Sequence, residues 1–378
     1  MGKQSESIQC LYIRGTKHAS TTVGPYKKWS QKFSSEAKVI KLRVISVFTV
    51  FILLTIGMRA QENAPLELLQ KIPIPGLKDG DFDHFAVDRP GHRLFLTAEM
   101  NAAVEVFDLD TNKLIHIISD VKTPHSMVYR DDLKRLFVVD GGAPGVKIYD
   151  ADSYKPIETI DLLPDADSMA YDSATKYMYI VNGGDDAHLT YSNISIVDTT
   201  AAKKLGDIKI NSDKVEALAL EKSRPRLFVD ITGKDAVGVI DREKRTVITT
   251  WPTSKAAKHL VAMAYDEPNH RLFVTTRDPG KLIVLDSDSG KIVTSVSCVA
   301  TNDDMAYDSG SKRIYIAGSG FVDVFQQNDP DHYALIGHIP GAFRAKTAIL
   351  VPELKRYYLA VPHHGSDEAE VRVYKILP

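Results

Sequence analysis

Between residue 80 and the C-terminus, apolar and polar positions follow one pattern seven times. An apolar tetrapeptide is followed, five residues beyond its last position, by a mostly basic residue that opens a second apolar run. The tetrapeptides are Phe85–Asp88, Met127–Arg130, Met169–Asp172, Leu218–Glu221, Met263–Asp266, Met305–Asp308 and the weaker Ala348–Val351. The second runs open at Arg93, Arg135, Tyr177, Arg226, Arg271, Arg313 and Arg356. Successive tetrapeptides end 42, 42, 49, 45, 42 and 43 residues apart, a period that belongs to propeller blades.

The second runs, such as RLFLTA and RLFVTT, are β-branched and aromatic and of strand length. A third strand follows in each repeat, from Val104, Val146, Ile194, Val237, Leu282, Val322 and Val371. Fourth strands such as LIHIIS from Leu114 complete four-stranded blades, and Gly, Asp and Asn clusters supply the turns. No sustained 3.6-residue period follows residue 60. The expected fold is all-β: a seven-bladed β-propeller in a single domain. The seventh repeat stops after its third strand, while a spare strand, Leu66–Ile74, precedes the first. Pairing these two would close the ring and protect its sheet edges.

The Tyr179–Asn182 run YIVN with Ile194–Thr200, and Leu282–Lys291, resemble the YVTN repeat. Residues 66–378 resemble a YncE-like YVTN-family propeller exported to the bacterial envelope. That resemblance implies a fold and an address. It implies no activity, because such rings host lactonases, redox enzymes, surface proteins and binders alike.

The N-terminal region reads differently. Residues 1–37 are polar and aperiodic, as expected of a disordered extension or of a reading frame begun too early. Residues 38–60 hold Lys38, Lys41 and Arg43, the 14-residue apolar run Val44–Gly57, and Ala60 before Gln61. That arrangement is expected of a signal peptide, too short for an ordinary membrane span. An uncleaved anchor is the alternative, and the only expected membrane link. Residues 61–378 would then be the exported ring, periplasmic or secreted and monomeric.

Composition becomes informative once the chain is divided. The whole has 47 basic and 49 acidic residues, a net charge of −2. Residues 1–60 hold ten of the basic and two of the acidic residues, so the remainder has 37 against 47, a net of −10. An acidic ring argues against nucleic acid, which needs a basic face. Of two cysteines only Cys298 lies beyond the leader, so the ring has no internal disulfide, and an inert thiol is expected.

In a propeller the first strand of each blade lines the channel, and its entry shares a face with the loops between second and third strands. On that face the sequence puts Asp81, Asp83, His84, His125, Asp165, Asp167, Glu216, His259, Asp303, Asp304, Arg344 and Lys346. The adjoining loops add Glu99, Asp185, Asp186, Arg277 and His363-His364. Only the fifth blade substitutes an apolar pair, Val261 and Ala262.

Two readings follow for this face. In the first, the ring binds a small molecule, a divalent cation or an envelope protein without catalysis. Oxygen ligands from Asp167, Glu216, Asp303 and Asp304 suit Ca²⁺ or Mg²⁺, whereas the histidines suit a transition metal. In the second, the ring is a metal-dependent lactonase or related hydrolase, with His125 as the candidate base. A quinone- or copper-using oxidoreductase has only the histidines in its favour. Solvated strand ends are the plain alternative for any single residue. Tyr129, Tyr171, Tyr265 and Tyr307 recur inside the tetrapeptides and are expected between blades.

Overall fold

A computed structural model describes residues 64–378 apart from Pro144. The expected extension and signal segment lie outside the described residues. Seven four-stranded antiparallel sheets make a seven-bladed β-propeller. The first blade is β2 (Phe85–Asp88), β3 (Arg93–Ala98), β4 (Ala103–Asp108) and β5 (Lys113–Ile118). Five blades repeat that order, from β6 (Pro124–Arg130) to β25 (His332–Pro340).

The last blade joins β26 (Thr347–Val351), β27 (Arg356–Val361) and β28 (Ala369–Ile376) to β1 (Leu66–Ile74). Leu66 pairs with Ile376 and Ile74 with Ala369 in antiparallel register. The spare strand therefore closes the ring as expected. Ile72 and Ile74 pack with Val371 on one side and with Leu94 and Leu96 of the first blade on the other. The closure is thus a hydrophobic seam as well as a hydrogen-bonded one.

Burial follows position within a blade. Every residue of β3 is buried, because a second strand is covered on both faces by neighbouring blades. β5 is mostly exposed, since outermost strands face water. Aromatic pairs fill the seams: Phe95 with Tyr129, Phe228 with Tyr265 and Phe273 with Tyr307, with ring centroids 5.1–6.2 Å apart. These tyrosines come from the tetrapeptides, and they sit between blades as expected.

The five-residue spacing has a physical cause. Asp88, fully buried, accepts bonds of 2.9 and 2.7 Å from Arg93 Nε and Nη2 across the turn between the first two strands. Arg93 also donates to the Ala151 carbonyl of the next blade. Arg226, Arg271 and Arg313 likewise reach the Ser287, Pro330 and Leu377 carbonyls of their following blades. The recurring basic residue therefore ties neighbouring blades together in four blades, and at Arg93 and Arg226 it clamps its own turn as well. The turn itself is left-handed at the residue before the second strand: His92, Lys134, Lys176, His270, Lys312 and Lys355 all have φ between 50° and 65°. Only the fourth blade differs, where Pro225, whose ring forbids that conformation, takes the place.

Candidate functional site at the channel mouth

The residue two positions before each tetrapeptide points to the channel axis. In blade order these are Asp83, His125, Asp167, Glu216, Val261, Asp303 and Lys346, and all seven line one cavity of about 340 Å³. A cavity of about 470 Å³ adjoins it beside the second to fourth blades. Glu99, His125, Asp167, Asp186, Lys214 and Glu216 line both, making one two-lobed cleft.

A hydrogen-bonded net spans the centre. His125 Nδ1 is 2.6 Å from Asp83 Oδ2 and 3.5 Å from Asp167 Oδ1. His84 Nδ1 is 3.1 Å from Asp304 Oδ1, and its Nε2 is 3.6 Å from Asp83 Oδ1. Asp304 also accepts the Ala348 backbone N–H at 2.7 Å. Asp303 takes Lys346 Nζ at 2.6 Å and Arg277 Nη2. Of the four expected oxygen ligands, Asp303 and Asp304 are thus engaged by side chains and backbone of the protein. Asp83, His84 and Asp167 instead bring donor atoms within 4.8 Å of one another. That set mixes imidazole with carboxylates and favours a first-row transition ion over Ca²⁺ or Mg²⁺.

The electrostatics follow from crowding. Burial penalises the charge on His125, but Asp167 and Asp83 more than offset it and lift its pKa to about 10. His84, partly buried, is raised well above the usual imidazole range by Asp83 and Asp304. Asp83 is buried too, yet the His84 and His125 cations hold it well below the usual carboxylate range. Burial raises Glu216 to about 7, with the negative charge of Asp167 adding to it. Asp165 rises to about 6 through burial and its neighbours Asp167 and Asp186. Net desolvation also raises Asp167 and Glu99. The cleft therefore sets imidazoles that hold their protons against the Asp83 carboxylate, with acids raised by burial on its flank.

Several expected positions fall elsewhere. His259, left-handed at φ 56°, uses its backbone N–H on Asp235 and lines neither lobe. Arg344 is occupied by Asp79 at 2.8 Å and by Asp81, outside both lobes. His364 packs against Phe343 in a separate groove, with ring centroids 4.4 Å apart and planes tilted by 37°. The Cys298 thiol, pushed up to about 12 by burial, is inert at neutral pH. Lys214 was missed: it stands four residues before its tetrapeptide, a position that holds a carboxylate in two other blades.

Behind the mouth lies a feature that no pattern signalled. Among the described residues neither carboxylate oxygen of the fully buried Asp230 has a hydrogen-bond partner, and its backbone carbonyl accepts the Glu216 N–H at 3.0 Å. Burial, together with Glu216, raises it well above the carboxylate range. Glu105, on β4, is also fully buried and unpartnered, and desolvation raises it to about 7.

No known family profile matches the chain, and no curated protein does. Solved structures share its fold. A chain of Kuenenia stuttgartiensis hydrazine synthase superposes with a TM-score of 0.66 at 16% identity, over 76% of this chain and 95% of that one. A chain of a mitotic checkpoint complex gives 0.66 at 15% identity, over 84% and 93%. At such identities the likeness concerns the propeller alone.

Proposed function

We propose that the protein is a binding propeller that captures a small polar ligand or a divalent cation at the channel mouth. Its membership of the YncE-like YVTN group, its export by residues 38–60 and its monomeric state belong to the same reading, resting on the repeat motifs and the leader. One observation carries the cation part: donor atoms of Asp83, His84 and Asp167 lie within 4.8 Å of one another beside a solvent-reached cavity. A cation there would take the place of the proton on His84, because imidazole must be neutral to bind a metal. Affinity should therefore rise with pH.

The test is metal analysis of protein purified without chelator, with thermal unfolding in Mn²⁺, Co²⁺, Zn²⁺, Ca²⁺ and Mg²⁺. The expected result is a raised melting temperature with a transition ion, lost in Asp167→Asn. No bound metal and no shift with any cation would remove the cation from the proposal.

A hydrolase, such as a lactonase, is the second reading, and Glu216 favours it. Its carboxyl group makes no hydrogen bond among the described residues and titrates at about 7 in the cleft, where a general acid or base works best. Lactone or ester turnover abolished by Glu216→Gln would establish it in place of binding alone. Absence of turnover across a lactone panel would dismiss it.

A further inference from the structure

The two lobes of the cleft differ in charge. Asp165 and Asp185 line only the lobe beside the second to fourth blades, Glu99 and Asp186 stand where it joins the other lobe, and Lys214, shared between the two, is the one Lys or Arg of its lining. None of those four carboxylates has an ion-pair partner among the described residues. On the opposite side Arg277 and Lys346 share a single carboxylate, that of Asp303. The next acceptor for Lys346, Asp81, is 4.0 Å away and already takes Arg344. Arg277 uses Nη2 on Asp303 and directs Nε to the Asn302 carbonyl at 3.4 Å. Its Nη1 has no acceptor among the described residues, and 38% of the side chain is exposed. A guanidinium offers five donors in a fork that matches a carboxylate. Arg277, with Nη1 unused, thus lines a cavity whose far lobe carries unpaired negative charge.

From this separation we infer that the cleft takes a small zwitterion, its ammonium end toward Asp165 and Asp186 and its carboxylate end on Arg277. The inference rests on the reading of the mouth as a small-ligand site and specifies the ligand class. A ligand that is only cationic leaves the Arg277 edge unused. A ligand that is only anionic faces the acidic lobe across the cleft. A molecule with both charges uses both lobes, and each lobe disfavours the wrong end, which fixes its orientation. The six residues lining both cavities make the path between the lobes continuous.

The test is calorimetric titration of the full chain in chelator, so that metal binding is kept separate. The probes are ω-aminoalkanoates of increasing chain length, with the n-alkylamine and alkanoate of each length at constant ionic strength. One length should bind about tenfold tighter than either single-charge half. Arg277→Gln should remove the advantage over the alkylamine, and Asp165→Asn with Asp186→Asn should remove the advantage over the alkanoate. Melting curves should confirm that both variants remain folded. An alkylamine binding as tightly as every zwitterion would overturn the inference while leaving a cation receptor. Binding of no probe, with a cation still raising the melting temperature, would overturn it alone. Silence from all probes and all cations would remove both this inference and the reading beneath it.

Discussion

His125 Nδ1 stands 2.6 Å from Asp83 Oδ2, so the entry to the second blade is bonded to the entry to the first at the channel axis. The two residues are 42 positions apart and occupy the same register in successive repeats. One repeat period therefore sets side by side an acid and a base that sequence separates. Each side chain is 13% exposed, so removing one partner costs more than it would in a surface ion pair.

Removing one member should leave the other buried without its partner. His125→Ala is expected to cost about 3 kcal/mol in urea unfolding at pH 6. Asp83→Asn should cost a similar amount. The double variant should cost clearly less than the two together, and a strictly additive double variant would refute the coupling.

The same pair gives a pH dependence. His125 is raised from 6.5 to about 10 in the folded state, so its contribution is fully present below pH 6.5. It should be lost as pH rises from 6.5 through 10, because the unfolded imidazole has already released its proton. Urea midpoints measured across that range should fall in the parent and stay flatter in His125→Ala. Ring-proton chemical shifts should place the titration far above that of a free imidazole.

Glu216 has the opposite sign. Its folded value, about 7, lies above the ordinary 4.5, so ionising it costs folding energy. Stability contributed by this group is greatest below pH 4.5 and declines as pH rises to 7. Glu216→Gln, which mimics the neutral acid, should be nearly neutral at pH 4.5. At pH 8 it should be more stable than the parent by about 2 kcal/mol, read from melting temperatures at the two pH values.

Glu105 is a cleaner case of unpaired burial, since no charged neighbour shares its site. Both its oxygens are buried without a partner among the described residues. Glu105→Met should stabilise the ring by about 1–3 kcal/mol at pH 8 and by less at pH 5, where the parent carboxyl is already neutral. Equal effects at both pH values would show that charge is not the cause.

Ring closure gives a prediction about the whole fold. Ile72, on β1, is 2% exposed in the seam between the first and last blades. Ile72→Ala should cost about 2–5 kcal/mol. Deleting residues 1–74 should expose the edge of β28 and yield aggregated protein by size-exclusion chromatography.

The repeat period, the strand order and the closing strand were legible because each is written in local alternation and fixed spacing. Tyr129, Tyr265 and Tyr307 were placed between blades from the same pattern, and there they lie. Spacing also predicted that one register would face the channel. It could not show which groups on that register pair. Asp303 and Asp304 stand adjacent at this register, yet one is held by Arg277 and Lys346 and the other by His84 and Ala348 N–H. His259 is an ionisable group at a strand entry like the others, yet its left-handed backbone leaves it outside both lobes. Asp230 is one polar residue in an apolar strand, and only the packed blades leave it buried without a partner among the described residues. The sequence by itself determined a closed seven-bladed ring, since backbone period and side-chain alternation act within a few residues. Tertiary structure alone decided which charges pair, which groups hold protons and how the cleft divides into two lobes, because those depend on through-space distances between blades and on what burial strips of water.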